Sequence, residues 1–271
     1  MMIRSSLLAF AGLIALAPSA RAACTLGQIA ALPVTMVGMQ PLVPTKINGV
    51  DEMFVADSGA FYSTISPARA AELSLRLEST HGRIRMSGVG GDVDVSVATV
   101  KTFTLAKSDI HNVEFIVGGS EVSEAAIGLL GQNVLHIGDV EYDLVNGAIR
   151  LFKPHGCDRA DMAYWTAGKP YSMVSISWSD ALHPHTISTA LVNGKTIRVM
   201  FDTGASNSVL SLHGARVAGI RTDGPGVKPA GLSGGIGRSQ VQTWLTPVAS
   251  FKLGDEEITN SQLRIGDIGG T

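Results

Sequence analysis

Two short triplets carry the chemistry in this sequence, Asp57-Ser58-Gly59 and Asp202-Thr203-Gly204. Each follows an apolar run, Phe54-Val55-Ala56 or Val199-Met200-Phe201, and each is followed by an alanine, Ala60 or Ala205. A lone D-[ST]-G is an ordinary turn sequence, because Asp and Gly both favour turns. Two of them at matched places in a repeat need another reason. Two carboxylates held close together cannot both ionise cheaply, so they share a proton. The ionised member can then take a proton from a water held between them. The protonated member can donate a hydrogen bond to a carbonyl oxygen. Such a pair titrates as a unit, so neither role belongs permanently to Asp57 or Asp202. This is the chemistry of direct hydrolysis by water.

The flanks repeat with the triplets. Asn48-Gly49 matches Asn193-Gly194 and Ser66 matches Ser211, all at the offset of 145 that relates Asp57 to Asp202. Asn-Gly between apolar alternating runs predicts a β-hairpin, since both residues tolerate positive φ. Ser66 ahead of Pro67 reads as a helix N-cap with Pro at the first helical position. Ser211 opens a weaker version of the same helix, with Gly214 and Gly219 inside it. Ser87-Gly88-Val89-Gly90-Gly91 has its counterpart in Ser233-Gly234-Gly235-Ile236-Gly237. Phe103, Leu105 and Asn112 align further on with Phe251, Leu253 and Asn260, where a small loop insertion has widened the offset. Two copies of one β-rich unit are the plain reading.

Bulk properties agree with that reading. The chain has 271 residues, 45% hydrophobic and 16% charged, with 31 Gly and 11 Pro, which favours many turns and β structure over a helical bundle. The net charge of −2 comes without any basic cluster, so no nucleic-acid partner is expected. Residues 1–22 read as a signal peptide: Arg4, an apolar run from Leu7 to Ala17, and an Ala20-Arg21-Ala22 cleavage site. The expected product is periplasmic or secreted, with no membrane anchor after cleavage. It keeps two cysteines, Cys24 and Cys157, which either pair in an oxidising compartment or remain two thiols. The boundaries expected are 23–154 for a first lobe, 155–170 for a polar linker and 171–271 for a second lobe.

Other chemistries lack their residues. The one close histidine pair, His183-Pro184-His185, has Pro between its members and no carboxylate or thiolate at metal-site spacing. No G-x-S-x-G elbow, P-loop or complete dinucleotide fingerprint occurs. No metal and no cofactor are expected.

The two triplets, with Leu129-Leu130-Gly131, resemble the motifs of retropepsin-like aspartic proteases, of the exported bacterial sort with both halves on one chain. The resemblance covers nearly all the mature sequence. It implies an all-β fold, two pseudo-symmetric retropepsin-like β-barrel lobes with the active site between them. Asp57 and Asp202 would be catalytic. Ser58 and Thr203 would hydrogen-bond across to the opposite loop, while Gly59 and Gly204 allow close backbone approach. Leu129-Leu130-Gly131 would thread under the first catalytic loop, followed here by Gln132-Asn133 where many relatives carry an Asp. Gly88, Gly90, Gly91, Gly234 and Gly235 resemble flap turns, or are plain surface hairpins. The implied activity is that of an aspartic endopeptidase on protein or peptide substrates, functional as a monomer. The alternative is the same fold holding a peptide or partner without cutting it. A third reading, two barrels around a small ligand, leaves the matched triplets unexplained.

Two further expectations concern asymmetry. Phe61-Tyr62 stands where the second copy has Ser206-Asn207; the pair either shapes an asymmetric substrate pocket or makes a core contact, and the core contact is the expectation. Copy two also lacks a match to Ile127-Gly128-Leu129-Leu130-Gly131, so the second lobe is expected to be truncated at its C-terminus. Unpaired edges, a poorly supported Asp202 loop and low stability of these residues alone would follow.

Overall fold

A computed structural model of the chain describes residues 24–157, 160–177 and 185–269. Residues 1–22, expected to be a signal peptide, lie outside the described residues, as do His183 and Thr271. The first half opens with β1 (Thr25–Pro33) and β2 (Thr35–Val37), then the hairpin of β3 (Gln40–Ile47) and β4 (Val50–Ala56). At its turn Asn48 and Gly49 have φ of 49° and 86°, the positive pair a two-residue hairpin requires. Then come β5 (Thr64–Ile65) and α1 (Pro67–Glu72), whose N-cap Ser66 accepts from Arg69 N–H at 3.3 Å. They are followed by β6 (Leu77–Ser79), a small hairpin of β7 (Met86–Gly88) and β8 (Gly91–Val93), and a long one of β9 (Ser96–Leu105) and β10 (Ser108–Val117). The half closes with β11 (Gly128–Leu130), α2 (Gln132–Leu135), β12 (Asp139–Asp143) and β13 (Ala148–His155).

Eight of these strands form one sheet in the order β2-β3-β4-β11-β5-β10-β9-β6, and β3 also pairs β9, which curls the sheet into a barrel. Its centre is three fully buried phenylalanines, Phe54, Phe103 and Phe115, with ring centroids 5.2 to 6.0 Å apart. Alternation along β4 and β11 sends Phe54, Ala56 and Leu130 into this core, and Val55 and Leu129 to the opposite face.

Outside the barrel, β1 pairs β13, and β13 pairs β12. Cys24, just ahead of β1, is bonded to Cys157, just beyond β13, across a sequence separation of 133 residues. The bond fastens a terminal strand and encloses the whole first lobe, so it restricts the unfolded chain strongly. Its removal by Cys24→Ser with Cys157→Ser is expected to destabilise the protein by about 2–4 kcal/mol. A calorimetric midpoint unchanged within a degree would contradict this.

The second half repeats the plan. It consists of β14 (Ile187–Val192), β15 (Lys195–Met200), β16 (Val209–Ser211), α3 (Leu212–Val217), β17 (Lys228–Ser233), β18 (Val241–Leu253) and β19 (Glu256–Gly266). The Asn193-Gly194 turn has φ of 50° and 72°, and Ser211 caps α3 by accepting from Gly214 N–H at 3.1 Å. Asn112 and Asn260 take matching left-handed conformations inside β10 and β19. Parallel pairing of β5 with β10 has its counterpart in β16 with β19. The protein is therefore mostly β, in two lobes built alike.

One element has no partner copy among the described residues. In lobe one, β11 lies between β4 and β5, parallel to the first and antiparallel to the second. In lobe two, β15 and β16 stand at opposite ends of the sheet order β15-β14-β18-β19-β16, and no described strand joins them. Phe54, Val55 and Ala56 are fully buried beside β11, while Val199, Met200 and Phe201 are only half-buried.

Candidate active site

Each triplet leaves the end of a hairpin strand, β4 or β15, and turns back across the gap between the lobes. Four hydrogen bonds lace the two turns together. Ser58 N–H donates to Thr203 Oγ1 at 3.0 Å, and Thr203 N–H to Ser58 Oγ at 3.0 Å. Each hydroxyl passes its own hydrogen on, Ser58 to the Phe201 carbonyl at 2.9 Å and Thr203 to the Ala56 carbonyl at 2.7 Å. Both hydroxyls thus act as acceptor and donor, which places the two carboxylates symmetrically about the gap.

The glycines make the approach possible. A Cβ built on Gly59 would lie 2.5 Å from Asp202 Cγ, and one on Gly204 would lie 2.4 Å from Asp57 Cγ. Each carboxyl therefore occupies the space a side chain on the opposite loop would need. Gly59 N–H donates to Asp57 Oδ1 at 2.8 Å; Gly204 N–H and Ala205 N–H donate to Asp202 Oδ1 at 2.9 and 3.1 Å.

Their surroundings differ. Asp57 is buried, and its pKa is pushed up to about 7, first by desolvation and then by the neighbouring Asp202 charge and hydrogen bond; backbone donors at Gly59 and Ala60 pull the other way. Asp202 is solvent-exposed. Among the described residues, β11 covers the strand leading to Asp57 and no strand covers the one leading to Asp202.

Support for the Asp57 loop comes from β11 and α2. Asp57 N–H donates to the Leu130 carbonyl at 2.9 Å and Gln132 N–H to the Ala60 carbonyl at 2.9 Å. Leu129 sits in register with Val55 and Leu130 with Ala56, so this run passes directly beneath the loop. Gly131 fits because a Cβ there would meet the Tyr62 carbonyl carbon at 2.6 Å. The departures at Gln132-Asn133 are put to use: Gln132 Nε2 donates to the Ser58 carbonyl at 2.8 Å, and Asn133 Oδ1 accepts from Ser63 N–H at 2.8 Å and Ser63 Oγ at 2.9 Å.

The two glycine-rich turns meet each other. The β7–β8 turn needs glycine at Gly90 and Gly91, whose φ values are 95° and 101°. Gly237 N–H donates to the Val89 carbonyl at 3.0 Å and Ser239 N–H to the Gly90 carbonyl at 3.1 Å. Ser120 N–H and Oγ donate to the Ile236 and Gly237 carbonyls, both at 2.9 Å. Gly88 and Gly235 lie in the same contact, against Ile236 and Val89; Gly234 stands clear, with Gln240 Cγ at 3.9 Å as its nearest neighbour.

A profile described as aspartyl protease matches residues 43–134 and again 188–271. The chain belongs to the aspartyl protease family. Both family matches end on the two lobes seen here, one for each triplet. Among solved structures the chain is similar to a retropepsin-like aspartic protease from Rickettsia conorii, with 18% identity and a TM-score of 0.33 over 48% of this chain and 94% of that one. It is also similar to the EIAV protease complexed with the inhibitor HBY-793, with 22% identity and a TM-score of 0.29 over 36% of this chain and 86% of that one. No curated protein matches the sequence. Family membership rests on the doubled profile match.

Four more residues lie at this aspartyl protease site. His185 Nε2 lies 3.1 Å from the Gly59 carbonyl, where the protonated ring nitrogen donates to the loop of the other lobe. Tyr142, on β12, lies near enough to Ser58 and Asp57 for both to act on its hydroxyl, which burial pushes up to about 12 and so keeps protonated. Neither belongs to a motif or has a repeat counterpart, so no sequence signal marks them. The core role expected for the other two fails. Phe61 and Tyr62 are not core: Phe61 is half-buried and Tyr62 is 48% exposed, because Ala60 turns the chain out beside the carboxyls before Ser63 returns to the interior.

Proposed function

We propose that the chain is an exported aspartic endopeptidase, in which Asp57 and Asp202 share one proton and activate a water. The observation that carries this reading is the reciprocal seating of each carboxyl against the opposite glycine. In the working state one carboxyl is protonated. The ionised one takes a proton from water as the oxygen attacks the scissile carbonyl, and the protonated one hydrogen-bonds the carbonyl oxygen. Asp57 suits the protonated role at neutral pH because its pKa is raised. The two meeting glycine turns serve as a lid that excludes bulk water and holds an extended peptide. Both lobes lie on one chain, so a monomer suffices. The signal-like N-terminus and the Cys24–Cys157 bond support export.

A single-occupancy test separates cutting from holding. A peptide with a tetrahedral hydroxyl in place of its scissile carbonyl mimics the attacked state. The full-length protein is expected to bind it at least about a hundredfold more tightly than the matched plain peptide. Equal affinity by titration calorimetry would instead identify a peptide-holding module.

A further inference from the structure

We infer that the cleft selects a peptide with a large aromatic or branched apolar side chain on its lobe-one side and a small or polar one on its lobe-two side. The inference rests on the endopeptidase reading and adds the class of substrate. Two independent observations support it.

The first is the pair of loops themselves. Fourth and fifth after the catalytic aspartates stand Phe61-Tyr62 in one lobe and Ser206-Asn207 in the other. All but Phe61 are exposed. The Phe61 and Tyr62 rings lie 4.5 Å apart, and Phe61 meets the His185 ring edge-on at 6.0 Å. His185 is itself fixed to the Gly59 carbonyl, so the rings form an ordered shelf within one loop of the carboxyls. A half-exposed Tyr next to a held aromatic presents apolar area at low entropic cost. Ser206 and Asn207 present short polar groups at the matching place.

The second is the strand face beneath. Leu42, Val55 and Leu129 pack together on the side of β4 and β11 away from the barrel core, with Ala60 and the lobe-two Ile236 completing the cluster. Ala60 joins this apolar floor to the Phe61 loop. The repeat counterpart of Val55 is Met200, which is half-buried, and no such cluster forms around it among the described residues. Leu42, Val55 and Leu129 are themselves buried, so they do not line the gap but give the exposed aromatic loop of lobe one a rigid apolar base; lobe two has neither the base nor the rings. A pocket of this kind discriminates side chains by one or more buried methylene equivalents, each worth roughly tenfold or more.

The test uses hydroxyl-bearing peptide pairs that differ only in Phe or Ser at either residue flanking the scissile bond, with binding and cleavage both measured. The full-length protein is expected to prefer Phe at one of the two positions by at least about tenfold, and the double variant Phe61→Ser with Tyr62→Asn is expected to lose that preference. The reciprocal variant Ser206→Phe with Asn207→Tyr, made at exposed positions, is expected to create the preference at the other residue, and it decides the matter should the first variant misfold. Cleavage without any side preference, or a preference that neither exchange alters, overturns the inference while leaving the endopeptidase reading intact. Side-selective binding without cleavage of any peptide does the reverse.

Discussion

Asp57→Asn in the full-length protein is expected to lower kcat by at least about a thousandfold while leaving the fold intact. Asn is the same size and keeps one oxygen to accept from Gly59 N–H, so the 2.8 Å contact survives. What disappears is the shared proton. The same substitution should reveal the strain of ionising this group. The folded-state pKa of Asp57 is raised from 3.8 to about 7, so folding favours the protonated form. Below about pH 3.8 the group is neutral folded and unfolded, and its ionisation takes nothing from stability. As pH rises towards about 7 the unfolded state releases its proton while the folded state retains it, and stability falls. Asn removes that loss, so the variant should melt above the wild type at pH 8, with the advantage vanishing near pH 4. For the wild type, activity should decline as pH rises through about 7, where the last shared proton leaves. Full activity in the Asn variant, or a melting difference independent of pH, would overturn this assignment.

Gly59→Ala and Gly204→Ala are expected to cost about a hundredfold or more in kcat each, with little change in melting temperature. The added methyl would lie 2.5 Å from Asp202 Cγ in the first and 2.4 Å from Asp57 Cγ in the second, distances that real side chains do not tolerate. The carboxyl must swing aside by roughly an ångström, and misplacement on that scale is enough to disable catalysis. Gly234→Ala is the comparison: its Cβ would meet only Gln240 Cγ at 3.9 Å, so it should act almost as wild type. Should the two alanine variants instead retain activity with unchanged KM, the close seating of the acids would not be what catalysis needs.

The parts legible in the sequence are those set by local chemistry and written twice. Asn-Gly turns, serine caps and D-[ST]-G loops are each specified within a few residues, and duplication turned weak signals into a strong one. Both hairpin turns have the positive φ that Asn48-Gly49 and Asn193-Gly194 predict. The place of Leu129-Leu130-Gly131 followed from resemblance alone, because β11 pairs with strands some 65 to 75 residues earlier and no local pattern encodes that. His185 and Tyr142 reach the site through tertiary packing only. The core role expected for Phe61-Tyr62 fails for a physical reason: aromatic identity signals burial on average, but the direction in which a loop leaves its strand decides each case.

The crossed hydroxyls of Ser58 and Thr203 also limit how the molecule can breathe. Prising the halves apart at their base would break all four of these hydrogen bonds together and leave six polar groups without their partners. The glycine tips, by contrast, are joined through main-chain groups that solvent can readily take over. Opening of the gap is therefore expected at the glycine tips, with the crossed base held fixed.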